Sequence, residues 1–459
     1  MKIQRHSVAS RPEWIVVRGF ALAIAVGALI LCLPLANSQG QWTDPLTALF
    51  TATSALCVTG LTVVDIGTHY SVFGQCVILA LIQVGGLGIM TFGTFLLILV
   101  GRRLGLRDEF VLIDSLGYDR IRGLPSLLKR AILFTITLEL IGATVLACRL
   151  ASHHAHTPGQ ALYAGLFHAV SAFCNAGHGL YRDSLIGLRG DPVIMLTMAS
   201  LIILGGLGFL VLYDLSSVRF WRRNRLTRGR LHLHTKIVLK ATAVLLLAGW
   251  VLFMLLEWRG TLAPLGVSDR VVVAFFHSVT PRTAGFYAVD LDLLQPATLL
   301  LTLVLMFIGG SPCSTAGGVK TTTIAVLLRV MIAMVRGKRE VESHGRTVAS
   351  RVVREALSIF LLAVVLIMCG FGLLLVVEHP PVLTSSLSAA DELLFETVSA
   401  FGTVGLSTGI TPYLTVWGRI IIILMMLMGR VGPLTLALVI GKKDERQVLR
   451  YPEEEVVVG

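Results

Sequence analysis

The chain has 459 residues, of which 55% are hydrophobic and only 14% are charged, where a soluble domain carries about 25% charge. With a mean hydropathy of +0.80, this excludes a disordered chain, a disulfide scaffold and an ordinary soluble enzyme, and leaves a polytopic membrane protein. The net charge of +12 would suggest nucleic acid for a soluble protein, but in a membrane protein basic residues mark the cytoplasmic side. The seven cysteines form no CxxC pair and lie in or beside apolar stretches. No metal or disulfide framework is therefore expected, and most cysteines read as packed core residues.

In chain order, Lys2, Arg5 and Arg11 precede an apolar run too long for a signal peptide, so a retained first helix is expected. Eight long apolar segments follow one another, at about 14–35, 71–100, 131–150, 192–215, 236–257, 294–335, 352–377 and 413–440. One shorter, mildly apolar stretch lies between each odd and even segment, at 44–57, 159–174, 268–280 and 388–401, each too short to span and each ending in a turn with glycine. The pattern is an internal repeat. Phe50 stands ten residues before Gly60, Phe167 before Gly177 and Phe395 before Gly405, while Phe276 stands nine before Gly285. The glycines are 117, 108 and 120 residues apart.

Charge orients these segments. The connections 101–130, 217–240 and 329–354 hold seven, eight and seven Lys/Arg. The stretches around the short helices hold few, among them Arg149, Arg182 and Arg282, together with acids such as Asp44, Asp65, Asp191 and Glu396. The positive-inside rule puts both termini in the cytoplasm and the four short-helix loops outside. The fold class expected is an all-α polytopic membrane protein with eight spans, its four helix–pore helix–helix repeats set pseudo-symmetrically around one central pore.

Non-helical backbone at membrane depth is tolerated only where protein buries it or a watery cavity adjoins it. The turns are Val58-Thr59-Gly60, Asn175-Ala176-Gly177, Thr283-Ala284-Gly285 and Thr403-Val404-Gly405. None contains a carboxylate, which disfavours a divalent cation. A ring of their carbonyls could instead replace the hydration shell of a monovalent ion. The fourth turn is the nearest to the T-V-G pattern of potassium channels.

With the stretches SAFCNAG, TPRTAGF, GTVGLSTGITP and CVTGLTVVD, the chain resembles the membrane subunit of the Trk/Ktr/HKT superfamily of potassium transporters over residues 14–440. Only one spanning segment precedes Gly60, which favours the Ktr type. The resemblance implies K+ bound at a filter made of the twelve turn residues. It implies repeats at 1–100 (pore loop 58–62), 101–217 (pore loop 175–179), 218–348 (pore loop 283–287) and 349–441 (pore loop 403–407), then a cytoplasmic tail at 442–459. It also implies a bacterial plasma (inner) membrane location and a homodimer surrounded by membrane lipid. ATP/ADP or NAD(H) would bind only on a separate cytosolic ring of RCK-type regulatory subunits, with no cofactor in this chain and no nucleic-acid partner. One departure is His178, where an aromatic residue is expected; facing the outer mouth, it would make transport sensitive to pH.

The third repeat interrupts its second helix with a Gly- and Ser-rich stretch around Pro312. Gly and Pro are poor helix formers. A phosphate loop is disfavoured because Val319 separates Gly318 from Lys320. By resemblance this stretch, 309–321, is an intramembrane gate under the filter, with Gly309, Gly310, Ser311, Ser314, Thr315, Gly317, Gly318 and Lys320, opposed by Arg430 of the last helix. A charge buried mid-helix is a functional hypothesis by default. Glu139, the lone acid of the third span, is the nearest obvious partner for these cations. The Gly-Gly-Leu-Gly runs at 85–88 and 205–208 read as strips for close helix packing.

His153, His154 and His156 read as an exposed loop cluster, and His168 and His277 as packing residues at the starts of short helices. The favoured function is channel-like K+ permeation by a subunit that is not an enzyme. A Na+- or H+-coupled K+ symporter on the same scaffold is the alternative. An intramembrane hydrolase is remote, since no serine–histidine or paired-aspartate constellation lies at membrane depth.

Overall fold

The computed structural model describes residues 12–88, 124–154, 156–217, 231–338, 340–343, 346–378 and 388–432. Expectations for the basic connections 101–123 and 218–230, for segment ends 89–100 and 433–440, and for the tail lie outside the described residues. The described residues are almost entirely helical. A long helix α1 (Pro12–Cys32) is followed by short α2 (Pro45–Cys57), the first turn and α3 (Val72–Leu87). Next come α4 (Leu124–His153), short α5 (Pro158–Phe173), the second turn, α6 (Pro192–Leu207) and α7 (Phe209–Ser217). After them come α8 (Leu233–Glu257), short α9 (Val267–Val279), the third turn, α10 (Pro296–Phe307) and α11 (Thr321–Val335). Last are α12 (Ser350–Val377), short α13 (Ala389–Gly402), the fourth turn and α14 (Val416–Val431). A small hairpin, β1 (Glu342–Ser343) against β2 (Arg346–Thr347), follows α11.

The helix starts follow local chemistry. Asp44, Ser71, Asp191 and Thr415 each accept a backbone N–H of the turn they open, and Thr157 and Ser388 form reciprocal capping boxes with Gln160 and Asp391. Pro45, Pro158, Pro192 and Pro296 sit at first helical positions, where no N–H is needed.

Among the described residues, Arg130–His153, Leu233–Glu257 and Ser350–Val377 are each long and apolar enough to cross a membrane. Their outward faces carry exposed Leu133, Leu140, Leu247, Leu255, Leu361 and Leu373. The short helices lie inside. Phe50, Phe167, Phe276 and Phe395, the residues that mark the repeat in sequence, are at most 1% exposed. Lipid tails are as apolar as leucine, so such helices associate through close packing rather than through hydrophobic transfer. Glycines provide it: a methyl on Gly85, Gly205 or Gly429 would land on the carbonyl of Leu56, Phe173 or Phe401, at the ends of α2, α5 and α13.

Two expectations need correction here. Residues 192–215 are not one helix: the chain turns by 95° between α6 and α7. Gly208, at φ +93°, makes the bend, and its N-terminal neighbours Gly205 and Gly206 are held against the centre of the molecule. The break in the third repeat is thus not peculiar to it, since α3 and α14 also stop at Gly88 (φ +82°) and Gly432 (φ +94°). The cysteines also divide: Cys57 and Cys174 are buried, but Cys76, Cys148 and Cys369 are exposed, on helices whose outer faces are apolar.

Candidate functional site

The four turns share one backbone conformation. Their first residues, Val58, Asn175, Thr283 and Thr403, have φ of +57°, +58°, +72° and +51°, although none is glycine. Their third residues, Gly60, Gly177, Gly285 and Gly405, have φ of +100°, +68°, +77° and +88°, and the middle residues stay out of this region. Holding a non-glycine residue left-handed costs about 1–3 kcal/mol, so the surroundings must impose it four times. They do so through the middle amide. Thr59 N donates to Ser54 O (2.8 Å), Ala176 N to Ser171 O (2.7 Å), Val404 N to Ser399 O (2.8 Å) and Ala284 N to Thr280 O (2.9 Å). The third bond spans four residues instead of five, which absorbs the one-residue shortening seen in the sequence. Gly60 N and Gly405 N donate in addition to the hydroxyls of Ser54 (3.1 Å) and Ser399 (3.0 Å). With the amides turned toward the short helices, the carbonyls are left for the opposite side.

The turns close into a ring in chain order. A Cβ placed on Gly60 would stand 3.0 Å from Gly177 Cα, one on Gly177 would stand 2.9 Å from Gly285 Cα, one on Gly285 would stand 3.3 Å from Gly405 Cα, and one on Gly405 would stand 2.8 Å from Gly60 Cα. The same four glycines line a cavity of about 520 Å³, together with Asp65, Arg182, Tyr287 and Ser407.

Behind the ring, the residue after each marker phenylalanine fastens the chain that leaves the turn. Thr51 accepts from Tyr70 Oη (3.2 Å), His168 Nε2 from Leu180 N (3.4 Å) and His277 Nε2 from Ala288 N (3.2 Å), while Glu396 accepts from the Thr411 hydroxyl. His168 and His277 therefore sit in the second halves of α5 and α9, not at their starts, because only there do they reach the departing chain. His178 faces neither the outer mouth nor solvent. It is 1% exposed, with Nε2 3.3 Å from the Ser54 hydroxyl of α2, so it packs between the first two turns. His154 and His156 are also more engaged than an exposed loop would be: His154 Nε2 lies 3.2 Å from an Asp191 oxygen, and His156 Nε2 lies 3.2 Å from Tyr181 Oη. Among the described residues no group of three or more His, Cys, Asp or Glu could hold a metal ion.

Directly below the ring lies the chain between α10 and α11. Gly309 N donates to Val319 O (2.9 Å) and Thr321 N to Gly310 O (3.0 Å), so the segment doubles back on itself. Ser311 N and Thr315 N reach the Gly206 and Gly205 carbonyls at 3.0 and 3.3 Å, and the Thr315 hydroxyl donates to Phe173 O at 3.2 Å. Ser314 Oγ bonds Ser311 O at 2.6 Å. Gly317 packs against Thr403, Gly318 (φ +65°) against Gly402, and Gly309 against Thr283. Arg430 donates to Thr315 O of this loop and to Gly85 O of α3, joining the first, third and fourth quarters. Lys320 Nζ bonds Ala316 O at 2.7 Å within the loop. Neither cation meets Glu139, which accepts instead from Gln83 Nε2 (3.3 Å) and Cys174 Sγ (3.7 Å) behind the second turn.

All twelve turn residues come together, and the eight loop residues and Arg430 collect beneath them. The sequence motifs single out neither Ser54, Ser399 nor Thr51, and Glu396 enters only as an acid that helps to set topology. The signal for them was present, since each keeps the same offset from its turn glycine, six or nine residues.

A family model described as TrkH, a cation transport protein, matches residues 6–449. The chain belongs to this family. Among its relatives is the Ktr system potassium uptake protein B of Bacillus subtilis (strain 168), 40% identical over 451 residues that cover 98% of this chain and 97% of that protein. The potassium/sodium uptake protein NtpJ of Enterococcus hirae is 38% identical over 464 residues, covering 100% of both. The crystal structure of the potassium transporter TrkH from Vibrio parahaemolyticus shares the fold, with a TM-score of 0.73 at 18% identity, over 96% of this chain and 87% of that one. As a member of the TrkH family, the chain is a multi-pass membrane protein and a transporter, not an enzyme.

Proposed function

We propose that this TrkH-family chain is the potassium-translocating subunit of an uptake system, and that K+ crosses the ring of turns on backbone carbonyls. The observation that carries this reading is the fourfold recurrence of one strained turn conformation, closed into a ring of glycines. A ring of carbonyls suits a desolvated monovalent ion, and the relatives named for potassium uptake along their full length agree with K+ as the cargo. Four pseudo-symmetric repeats with eight spans surround the path, and both termini face the cytoplasm of a bacterial inner membrane.

The loop 309–321, bonded to three quarters of the ring's surroundings and held by Arg430, is the gate. Permeation is channel-like, and control comes from outside this chain. The subunit forms a homodimer on a cytosolic ring of RCK-type nucleotide-binding subunits, which would carry ATP/ADP or NAD(H).

The test is K+ and Na+ uptake by a transport-deficient cell producing this chain, beside Gly285→Ser and Gly405→Ser. Both variants should lose K+ uptake at least tenfold or admit Na+. Unchanged uptake and selectivity in both would remove the ring from the ion path.

A further inference from the structure

α8 and α11 leave a cavity of about 390 Å³ between them, within the size range of small-ligand sites. Its walls are apolar, with Ala241 and Val244 from one helix and Ala325 and Leu328 from the other. Val244 and Leu328 are 56% and 52% exposed, so the cavity opens sideways, on the outside of the helix pair. Two cations interrupt the apolar lining, Lys240 of α8 and Arg329 of α11. Arg329 donates to the Glu342 carbonyl at 3.5 Å, a neutral acceptor that leaves its charge uncompensated. Among the described residues, neither cation is in an ion pair.

We propose that this cavity binds an anionic phospholipid, with an acyl chain between α8 and α11 and the phosphate between Lys240 and Arg329. The inference rests on the proposed orientation, which puts the Lys240 end of α8 near the cytoplasmic leaflet. A zwitterionic lipid could fill the same apolar space, but only a net negative headgroup gains from two uncompensated cations. The site adjoins the loop: Thr321, on the cavity wall, donates its N–H to Gly310 O at 3.0 Å and has its hydroxyl 3.1 Å from that of Ser311. The lipid therefore rests on the residue that anchors the loop's return.

Native mass spectrometry of the delipidated full chain, titrated with phosphatidylglycerol and with phosphatidylcholine of the same acyl chains, tests this. The wild type should retain one phosphatidylglycerol per chain with a preference of about tenfold or more, since two basic residues attract the anionic headgroup. The variant Lys240→Gln/Arg329→Gln should bring the preference near unity, and Ala241→Trp, which fills the cavity, should weaken both lipids. Equal retention of both lipids by the wild type, or a preference that survives the double substitution, overturns the proposal. So does efficient disulfide formation between copies of an Ala325→Cys variant, which would give the cavity to a second chain. The lipid readout needs no transport; wild-type rubidium uptake, measured separately, tests the ion-path reading alone.

Discussion

The ring of turns and the layer under it are built on opposite principles. In the ring, four different triplets adopt one backbone, and their side chains hardly enter the geometry. In the layer below, the described part of each second helix ends or turns at a glycine or at the loop, yet each quarter does something different there. The first ends at Gly88, the second swings by 95° at Gly208, the third inserts a loop and the fourth supplies Arg430. Geometry that an ion would meet directly is repeated; geometry that would decide when the path is open is particular. The first should be sensitive to any added atom and the second to named side chains.

The largest effect should come from the ring. Gly60→Ala places a methyl 2.7 Å from Ala176 O at φ +100°, which combines a clash with a left-handed alanine. K+ uptake should fall at least tenfold, and uptake close to wild type would show that the ring is not the narrow point. Arg430 comes next. Arg430→Ala removes both bonds that tie the loop to α3, and a several-fold rise in vesicle flux, or a loss of K+ over Na+ selectivity, is expected. Arg430→Lys should not restore the wild type, because an ammonium lacks the planar fork that serves two carbonyls. Unchanged kinetics in the alanine variant would sink the latch.

The fasteners behind the ring should show smaller changes. Glu396→Gln keeps an acceptor for Thr411 and should leave selectivity near wild type, whereas Glu396→Ala should relax it and lower stability by about 1–3 kcal/mol. Identical thermal melts and ion ratios for the two variants would deny the fastener its role. The smallest effect belongs to the N-terminal end of α6. Burial works to raise the pKa of Asp191, but its bonds from Arg149, His154 and the amides of Ile194 and Val193 hold it below the usual carboxylate value. A lowered folded pKa gives stability that is present above the unfolded value and lost as pH falls through the folded one. Asp191→Asn keeps an N-cap but loses the charge that Arg149 and His154 hold, so it should lower the melting temperature at pH 7, with a loss of stability of about 1 kcal/mol or less. The gap to wild type should close below about pH 4.

The ring was legible because its chemistry is local. The third residue of each turn is left-handed and is glycine, and the repeat prints that residue four times at nearly the same distance from its phenylalanine. The layer below was only half legible. Gly309 to Gly318 announced a break through density of glycine, but Gly208 sits in a run of unbroken hydrophobicity and read as packing alone. Apolar composition says that a segment prefers lipid, not that it is straight. Contacts across long stretches of chain were not legible at all. His178 reads as a loop residue until Ser54, 124 positions earlier, is beside it. Glu139 reads as a partner for Arg430 until Gln83 and Cys174 claim it.

The four glycines of the ring belong to one chain, and this has a consequence for how the protein can vary over time. In a ring of identical chains, one codon change is copied into every quarter at once. Here a codon change touches a single quarter and leaves three intact. Asn175 and Val58 already hold equivalent places with unlike side chains. A lineage can thus alter one quadrant at a time, where a symmetric ring changes all four together.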